Sequence, residues 1–133
     1  MNPMKTLTIR WQRLVDENDN TCPRCGETGN TVRTACEKLK KALSVLGIAV
    51  ELIEKKLDFP IFNQDPLQSN CIWVGDRLLE EWIGGETGKS QCCNTCGDSE
   101  CRTISVGENT YESIPENLII KAGLMAASEL LMK

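Results

Sequence analysis

Apolar and polar residues alternate near the start of the chain. Leu7, Ile9 and Trp11 are separated by Thr8, Arg10 and Gln12. A period of two predicts a strand over residues 6–15 with one face buried. Asp16-Glu-Asn-Asp-Asn20 ends it with turn formers, and a flexible Gly26-Glu-Thr-Gly-Asn30 follows the next motif. From Thr31 to Leu46 the period changes. Val32, Ala35, Cys36, Leu39, Leu43 and Leu46 recur at helical spacing, with Asn30 or Thr31 as N-cap and Gly47 as the stop. A second strand is predicted over residues 48–57. Asp58 to Asn70, with Pro60 and Pro66, is predicted to be a loop.

Cys71-Ile-Trp-Val74 has the composition of a buried strand. Gly75-Asp76 is a two-residue hairpin signal, and Arg77 to Ile83 is predicted to return as the partner strand. Residues 86–101 are polar and cysteine-dense and lack periodicity. They are expected to form a loop that is ordered only when its cysteines bind something. A short hairpin is expected around Gly107-Glu-Asn109. Ser113-Ile-Pro-Glu116 has the form of a capping box, with Pro early in the helix that follows to Leu131. Leu118, Ile119, Ala122, Met125, Ala126 and Leu130 would be its buried stripe. The order is strand, helix, strand, two-strand hairpin, helix. Strand–helix–strand favours a parallel pair with a right-handed crossover. The expected fold is α/β and thioredoxin-like: a four-stranded mixed sheet with two main helices and a cysteine-rich loop. No linker divides the chain, so one domain over residues 1–133 is expected, with the cysteine-rich insertion at about 86–101.

Composition narrows the chemistry more than it narrows the fold. The 133 residues include eight cysteines and no histidine. Without histidine there is no Ser-His-Asp triad, Cys-His pair or His-ligated metal. Net charge is −4, and phosphate binding needs a basic face, so nucleic acid is not an expected partner. No apolar run approaches the ~20 residues that span a bilayer. The start of the chain lacks a secretory pattern. A cytoplasmic protein is expected, with no membrane partner. Cysteines in that compartment are mostly reduced, and serve more often as ligands or redox groups than as cross-links.

Cys22-Pro-Arg-Cys25 is the sharpest motif. Two thiols at this spacing can close a disulfide across a turn. A helix end nearby and the charge of Arg24 both favour thiolate. By resemblance to thioredoxins in position and spacing, Cys22 would attack and Cys25 would resolve. The same residues also fit a zinc knuckle, with Cys93-Asn-Thr-Cys96-Gly97 as a second one. The 67 residues between Cys25 and Cys93 far exceed a zinc-ribbon spacer. Cys92, Cys93, Cys96 and Cys101 form a second group, four thiols in ten residues. They suit zinc, cuprous copper or a thiophilic metalloid, and disulfides tying down a loop are the plain alternative. Cys36 and Cys71 fall on apolar faces and are read as core thiols. Glu80-Glu81 is read as a solvated face.

Leu7-Thr-Ile-Arg-Trp-Gln12, the Cys22 and Cys25 pair, Ser69-Asn70, Gly75 and Leu79-Glu-Glu81 together resemble the domain-of-unknown-function 2703 family. So do the Cys92-Cys93 cluster through Cys101-Arg-Thr103 and Tyr111 to Glu116. The resemblance spans nearly the whole chain. It implies a thioredoxin-like fold, in which the absence of proline at Ser69-Asn70-Cys71 is a family trait, and it implies no established activity. The functional expectation therefore rests on sulfur chemistry. It is a thiol-disulfide oxidoreductase-like protein acting through Cys22 and Cys25 on a protein or small-molecule thiol partner, with no cofactor required for exchange. The alternative is a non-enzymatic thiolate protein that binds zinc or another soft metal through the cysteine-rich loop.

Overall fold

The computed structural model describes residues 5–14, 23–57, 71–91 and 100–132. The side chains of residues 14, 23–26, 57, 89–91, 100 and 101 are not described. Among the described residues, seven strands and three helices follow in the order β1 (Lys5–Leu14), α1 (Pro23–Ser44), β2 (Ile48–Leu57), β3 (Cys71–Val74), β4 (Arg77–Leu78), α2 (Leu79–Ile83), β5 (Glu86–Gln91), β6 (Glu100–Val106), β7 (Asn109–Tyr111) and α3 (Glu116–Leu131). Four strands form a mixed sheet in the order β2-β1-β3-β4. β1 and β2 are parallel, while β3 is antiparallel to β1 and β4 to β3. β5, β6 and β7 make a second, antiparallel sheet.

The alternation seen in β1 places Leu7, Ile9 and Trp11 in the core. α1 and α3 pack against each other and against β1, so they share one face of the main sheet. Val32, Ala35, Cys36, Leu39 and Leu43 from α1 meet Leu118, Ile119, Ala122 and Ala126 from α3 in a single cluster, which Ile104 of the second sheet joins. Two expected core positions are on the surface. Leu46 lies beyond the end of α1 in the turn closed by Gly47, whose φ is 73°, and Met125 is on the exposed side of α3. Among the described residues no helix is long and apolar enough to cross a membrane.

Four local expectations are corrected. First, α1 begins at Pro23, eight residues before the predicted Thr31. Proline suits a first helical position because its missing amide hydrogen would have no helical acceptor there. The glycines that made this stretch look flexible have a packing reason instead. An ideal Cβ on Gly29 would stand 2.5 Å from Cη2 of the fully buried Trp11. Only a residue without a side chain lets the indole lie this close to the helix. Gly29→Ala is therefore expected to destabilise by about 1–2 kcal/mol, because overpacking against a ring with no room to move outweighs the gain in helix propensity. At Gly123 the added methyl would meet the flexible end of Leu39, so Gly123→Ala should cost less. Urea unfolding of both variants checks the ranking.

Second, Arg77 to Ile83 is not one strand. β4 stops at Leu78 and a one-turn helix follows, because Leu79, Trp82 and Ile83 are buried at helical spacing. Glu81 accepts the Leu78 amide (3.4 Å), and the Trp82 indole donates to the Val74 carbonyl (2.6 Å). Gly84, with φ 69°, ends the turn. Third, residues 86–101 are not wholly a loop. Their two ends are β5 and β6, paired from Glu86↔Ser105 to Gln91↔Glu100. Polar strands escape a reading based on hydrophobic alternation.

Fourth, the capping box at Ser113 does not form. Pro115 occupies the N-cap of α3 without a side-chain bond. Ser113 instead donates to Glu27 (2.8 Å), and Glu116 pairs with Lys38. The buried Thr28 hydroxyl accepts the Ile114 amide (3.1 Å), and the Thr31 hydroxyl donates to the Ile114 carbonyl (2.6 Å). The segment that leads into α3 is thus bonded to α1 across 83 to 86 residues of sequence.

Candidate functional site at the cysteine end of the sheet

Gln12 is opposite Cys71 in the ladder, so the start of β3 lies beside the carboxyl end of β1. The chain leaves that end of β1 and re-enters the described fold at Pro23, the first residue of α1. Cys25 and Arg24 therefore belong to the opening turn of the longest helix, and their backbone is described while their side chains are not. Cys22 precedes that turn and lies outside the described residues. The link from β7 to α3 comes to the same helix end, because Ser113 and Ile114 bond to Glu27, Thr28 and Thr31.

The second group divides similarly. Cys101 is in β6, one residue inside the last pair of the ladder, and its side chain is not described. Cys92, Cys93 and Cys96 lie outside the described residues. By sequence they fall in the connection between Gln91 and Glu100, which are ladder partners. Among the described residues no group of three or more potential metal-ligating side chains comes together.

Cys36 and Cys71 are buried thiols, and neither is in a disulfide. Burial pushes the Cys36 thiol up to about 11, although Lys40 pulls the other way. A thiol held protonated inside the core is a poor nucleophile. Both residues behave as the small hydrophobes expected from their spacing.

One charge cluster lies at this end, and a second joins α2 to the other sheet. Arg13 and Arg33 lie over the Trp11 ring and share the carboxylate of Glu54, with Arg33 at 2.7 Å and Arg13 at 3.2 Å. The hydrogen bond from Arg33 holds the Glu54 carboxyl below its usual 4.5, against the opposing effect of partial burial. A carboxyl whose pKa is lowered by folding adds stability that is complete above the usual value and is lost as pH falls through the folded one. The difference in urea midpoint between wild type and Glu54→Gln should accordingly be largest near neutral pH and shrink below about pH 4. Because Glu54 is 35% exposed, added salt should reduce it too.

The other cluster is buried and was missed from sequence. Glu80, read as part of a solvated face, is 3% exposed, and Arg102 is 6% exposed. Arg102 Nε and Nη2 donate to Oε2 of Glu80 at 3.1 and 2.8 Å, and the Thr87 hydroxyl donates to the same oxygen at 2.7 Å. The other oxygen, Oε1, is buried with no hydrogen-bond partner. Glu81, its neighbour, is exposed as expected. Nothing in the local pattern distinguishes the two glutamates. Only the seating of α2 on the second sheet does so.

A cavity of about 180 Å³ opens at the opposite end of β1, lined by Thr6, Leu7, Gly75, Asp76, Trp82 and Glu129 among others, and no cysteine is among its described lining residues.

The family described as Domain of unknown function (DUF2703) matches residues 7–123. An uncharacterized protein of Archaeoglobus fulgidus is 44% identical over 113 residues, covering 85% of this chain and 82% of the relative. No solved structure matches.

Proposed function

The chain belongs to the domain-of-unknown-function 2703 family, and on that premise we propose that it is a thioredoxin-like thiol-disulfide exchange protein acting through Cys22 and Cys25. The observation that carries this reading is the start of α1 at Pro23, between the two cysteines. The opening turn of a helix has amides without helical acceptors and a partial positive charge. Both favour thiolate over thiol, and Arg24 adds a full positive charge in the same turn. The sheet order supports the fold reading. A parallel β1–β2 pair joined through α1, then an antiparallel β3–β4 hairpin, with α1 and the final helix on one face, is compatible with a thioredoxin-like arrangement and supports that reading. The domain is read as one unit over the whole chain and the compartment as a reducing cytoplasm.

The exchange proceeds in two steps and needs no cofactor. Cys22 thiolate attacks one sulfur of a partner disulfide, forming a mixed disulfide and releasing the other sulfur as thiolate. Cys25 thiolate then attacks the Cys22 sulfur, closing the Cys22–Cys25 disulfide and releasing the second partner thiol. The partner gains two electrons and the protein loses two. A reducing dithiol or two monothiols restore the pair by the reverse steps.

A second reading has its own observation. The ladder ends at Gln91 and Glu100, so Cys92, Cys93, Cys96 and Cys101 are gathered by sequence onto one short hairpin connection and the strand that follows. That supports a non-enzymatic thiolate site for zinc or another soft metal or metalloid.

Two measurements decide. Wild type should reduce insulin or glutathione disulfide with turnover that depends on Cys22. Equal inertness of wild type and Cys22→Ser would end the oxidoreductase reading. Metal analysis of anaerobically purified protein addresses the second. A stoichiometric soft metal, lost on replacing Cys93 and Cys96, would favour binding.

A further inference from the structure

The face of the main sheet turned away from α1 and α3 carries a different set of residues. Leu7, Ile9 and Trp11 of β1 are in the core, so Thr8 and Arg10 between them are on the other face. Arg10 is opposite Ile53 of β2 on one side and Trp73 of β3 on the other. A cleft of about 320 Å³ opens here, lined by Thr8, Arg10, Ile53, Trp73, Gly75 and Asp76. Its apolar wall is the exposed Ile53 and the half-buried Trp73. The six residues come from three adjacent strands and the turn that follows β3. The Gly75 amide donates to the Thr8 carbonyl (2.8 Å), which fastens that turn to β1. The cleft is thus built on hydrogen-bonded backbone, which places its side chains more firmly than a free loop would.

Two opposite charges stand in this cleft without partners. The Arg10 guanidinium lies over the Trp73 ring, 4.2 Å from its centroid. Stacking uses the flat face of a guanidinium and leaves its in-plane N–H groups for an acceptor. Among the described residues Arg10 has no side-chain hydrogen bond or ion pair, and its Nε is buried without a partner. Glu51 of β2 shares this face and does not pair with it. The Asp76 carboxylate, exposed at the turn, has no partner among the described residues either, and it is beyond ion-pair distance of Arg10. A half-buried guanidinium without an acceptor carries a desolvation cost that a carboxylate on its fork offsets.

The combination of signs selects the ligand. A simple anion would meet Asp76, and a simple cation would meet Arg10. A dipolar molecule meets an opposite charge at each end, and an apolar substituent on it covers Ile53 and Trp73. We propose that this cleft binds a free α-amino acid with an apolar side chain: Arg10 takes the carboxylate, Asp76 the ammonium, and Ile53 with Trp73 the side chain. The site uses no cysteine, so it stands or falls apart from the exchange chemistry.

The test titrates each standard amino acid, to about 10 mM, into full-length, reduced, isotope-labelled protein, following the Gly75 amide and the Trp73 indole by NMR. An apolar member, with L-leucine as reference, should bind saturably with a Kd at or below about 1 mM. Isocaproate lacks the ammonium of leucine and isoamylamine lacks its carboxylate. Each should bind at least about tenfold more weakly than leucine. Asp76→Asn should weaken leucine by a similar factor and bind isocaproate no more weakly than wild type does. Arg10→Gln should weaken leucine and leave isoamylamine no weaker. A general loss of structure would not produce these opposite responses. Asparagine is itself a turn former, so Asp76→Asn still decides if Arg10→Gln does not fold. Saturable binding by no amino acid overturns the proposal, as does isocaproate binding as tightly as leucine. Preference for a charged side chain over an apolar one does the same. N-acetyl-leucine and leucinamide stand for the two ends of a peptide. Either one matching leucine would assign the cleft to a peptide terminus and overturn the free amino acid.

Discussion

Cys22→Ser is expected to lose disulfide-reducing turnover by more than ~100-fold, equivalent to at least about 2.7 kcal/mol of barrier. A serine hydroxyl at neutral pH neither ionises nor attacks sulfur, and no histidine is available to activate it. The two cysteines should not fail in the same way. Cys25→Ser retains the attacking thiolate and lacks the group that releases the product. It should accumulate a mixed disulfide, visible as a mass increase equal to the partner thiol minus two hydrogens across the intact protein. Cys22→Ser should show no such adduct at position 25 with comparable speed. If the adduct instead forms fastest on Cys25 in the Cys22→Ser protein, the roles are reversed. If neither variant forms one and wild type does not turn over, the exchange chemistry is absent. Arg24→Glu is the electrostatic companion to this pair. Reversing charge in the first turn should slow the attack without abolishing it, with the largest effect below the pKa of the attacking thiol.

Arg102→Leu should produce the largest loss of stability, about 3–5 kcal/mol. The change removes two of the three donors to Glu80 Oε2 and leaves a carboxylate inside the fold with one hydroxyl as its partner. For a chain of this size that corresponds to a fall in melting temperature of roughly 10 °C or more. The replacement of both charges, Glu80→Met with Arg102→Met, should recover much of the loss, because no unpaired charge remains and the volume is refilled. A thermal melt of the two proteins side by side separates the cost of a stranded charge from the net value of the pair. Equal losses in the single and double variants would mean that packing, not charge, dominates the site.

The contrast between these residues shows where reading the chain stopped being sufficient. Cys22 and Cys25 stand out because two cysteines separated by two residues suggest a local chemistry without reference to the rest of the fold. The start of α1 does not. Gly26 and Gly29 have low helix propensity, and at Gly29 the close packing that offsets it comes from Trp11, which arrives from β1. Ser113 matched a capping pattern, yet its hydroxyl satisfies Glu27 because α1 supplies the nearer partner. Glu80 and Glu81 are adjacent and identical in type, and they differ only in which one α2 turns toward β5 and β6.

Periodicity determined β1 and most of α1 and α3, because burial of one face imposes a repeat that the chain must carry locally, and short apolar runs marked β2 and β3. The parallel β1–β2 pair follows from the helix between them. Composition alone excluded chemistry that needs histidine and directed the functional reading to thiols. The tertiary structure decided that the helix begins between Cys22 and Cys25, that the polar residues flanking the cysteine cluster pair as strands, and that a buried ion pair ties that hairpin to the body. Each of these depends on a contact between segments distant in the chain. Such contacts leave no periodic mark, since their energy comes from the partner and not from the segment itself.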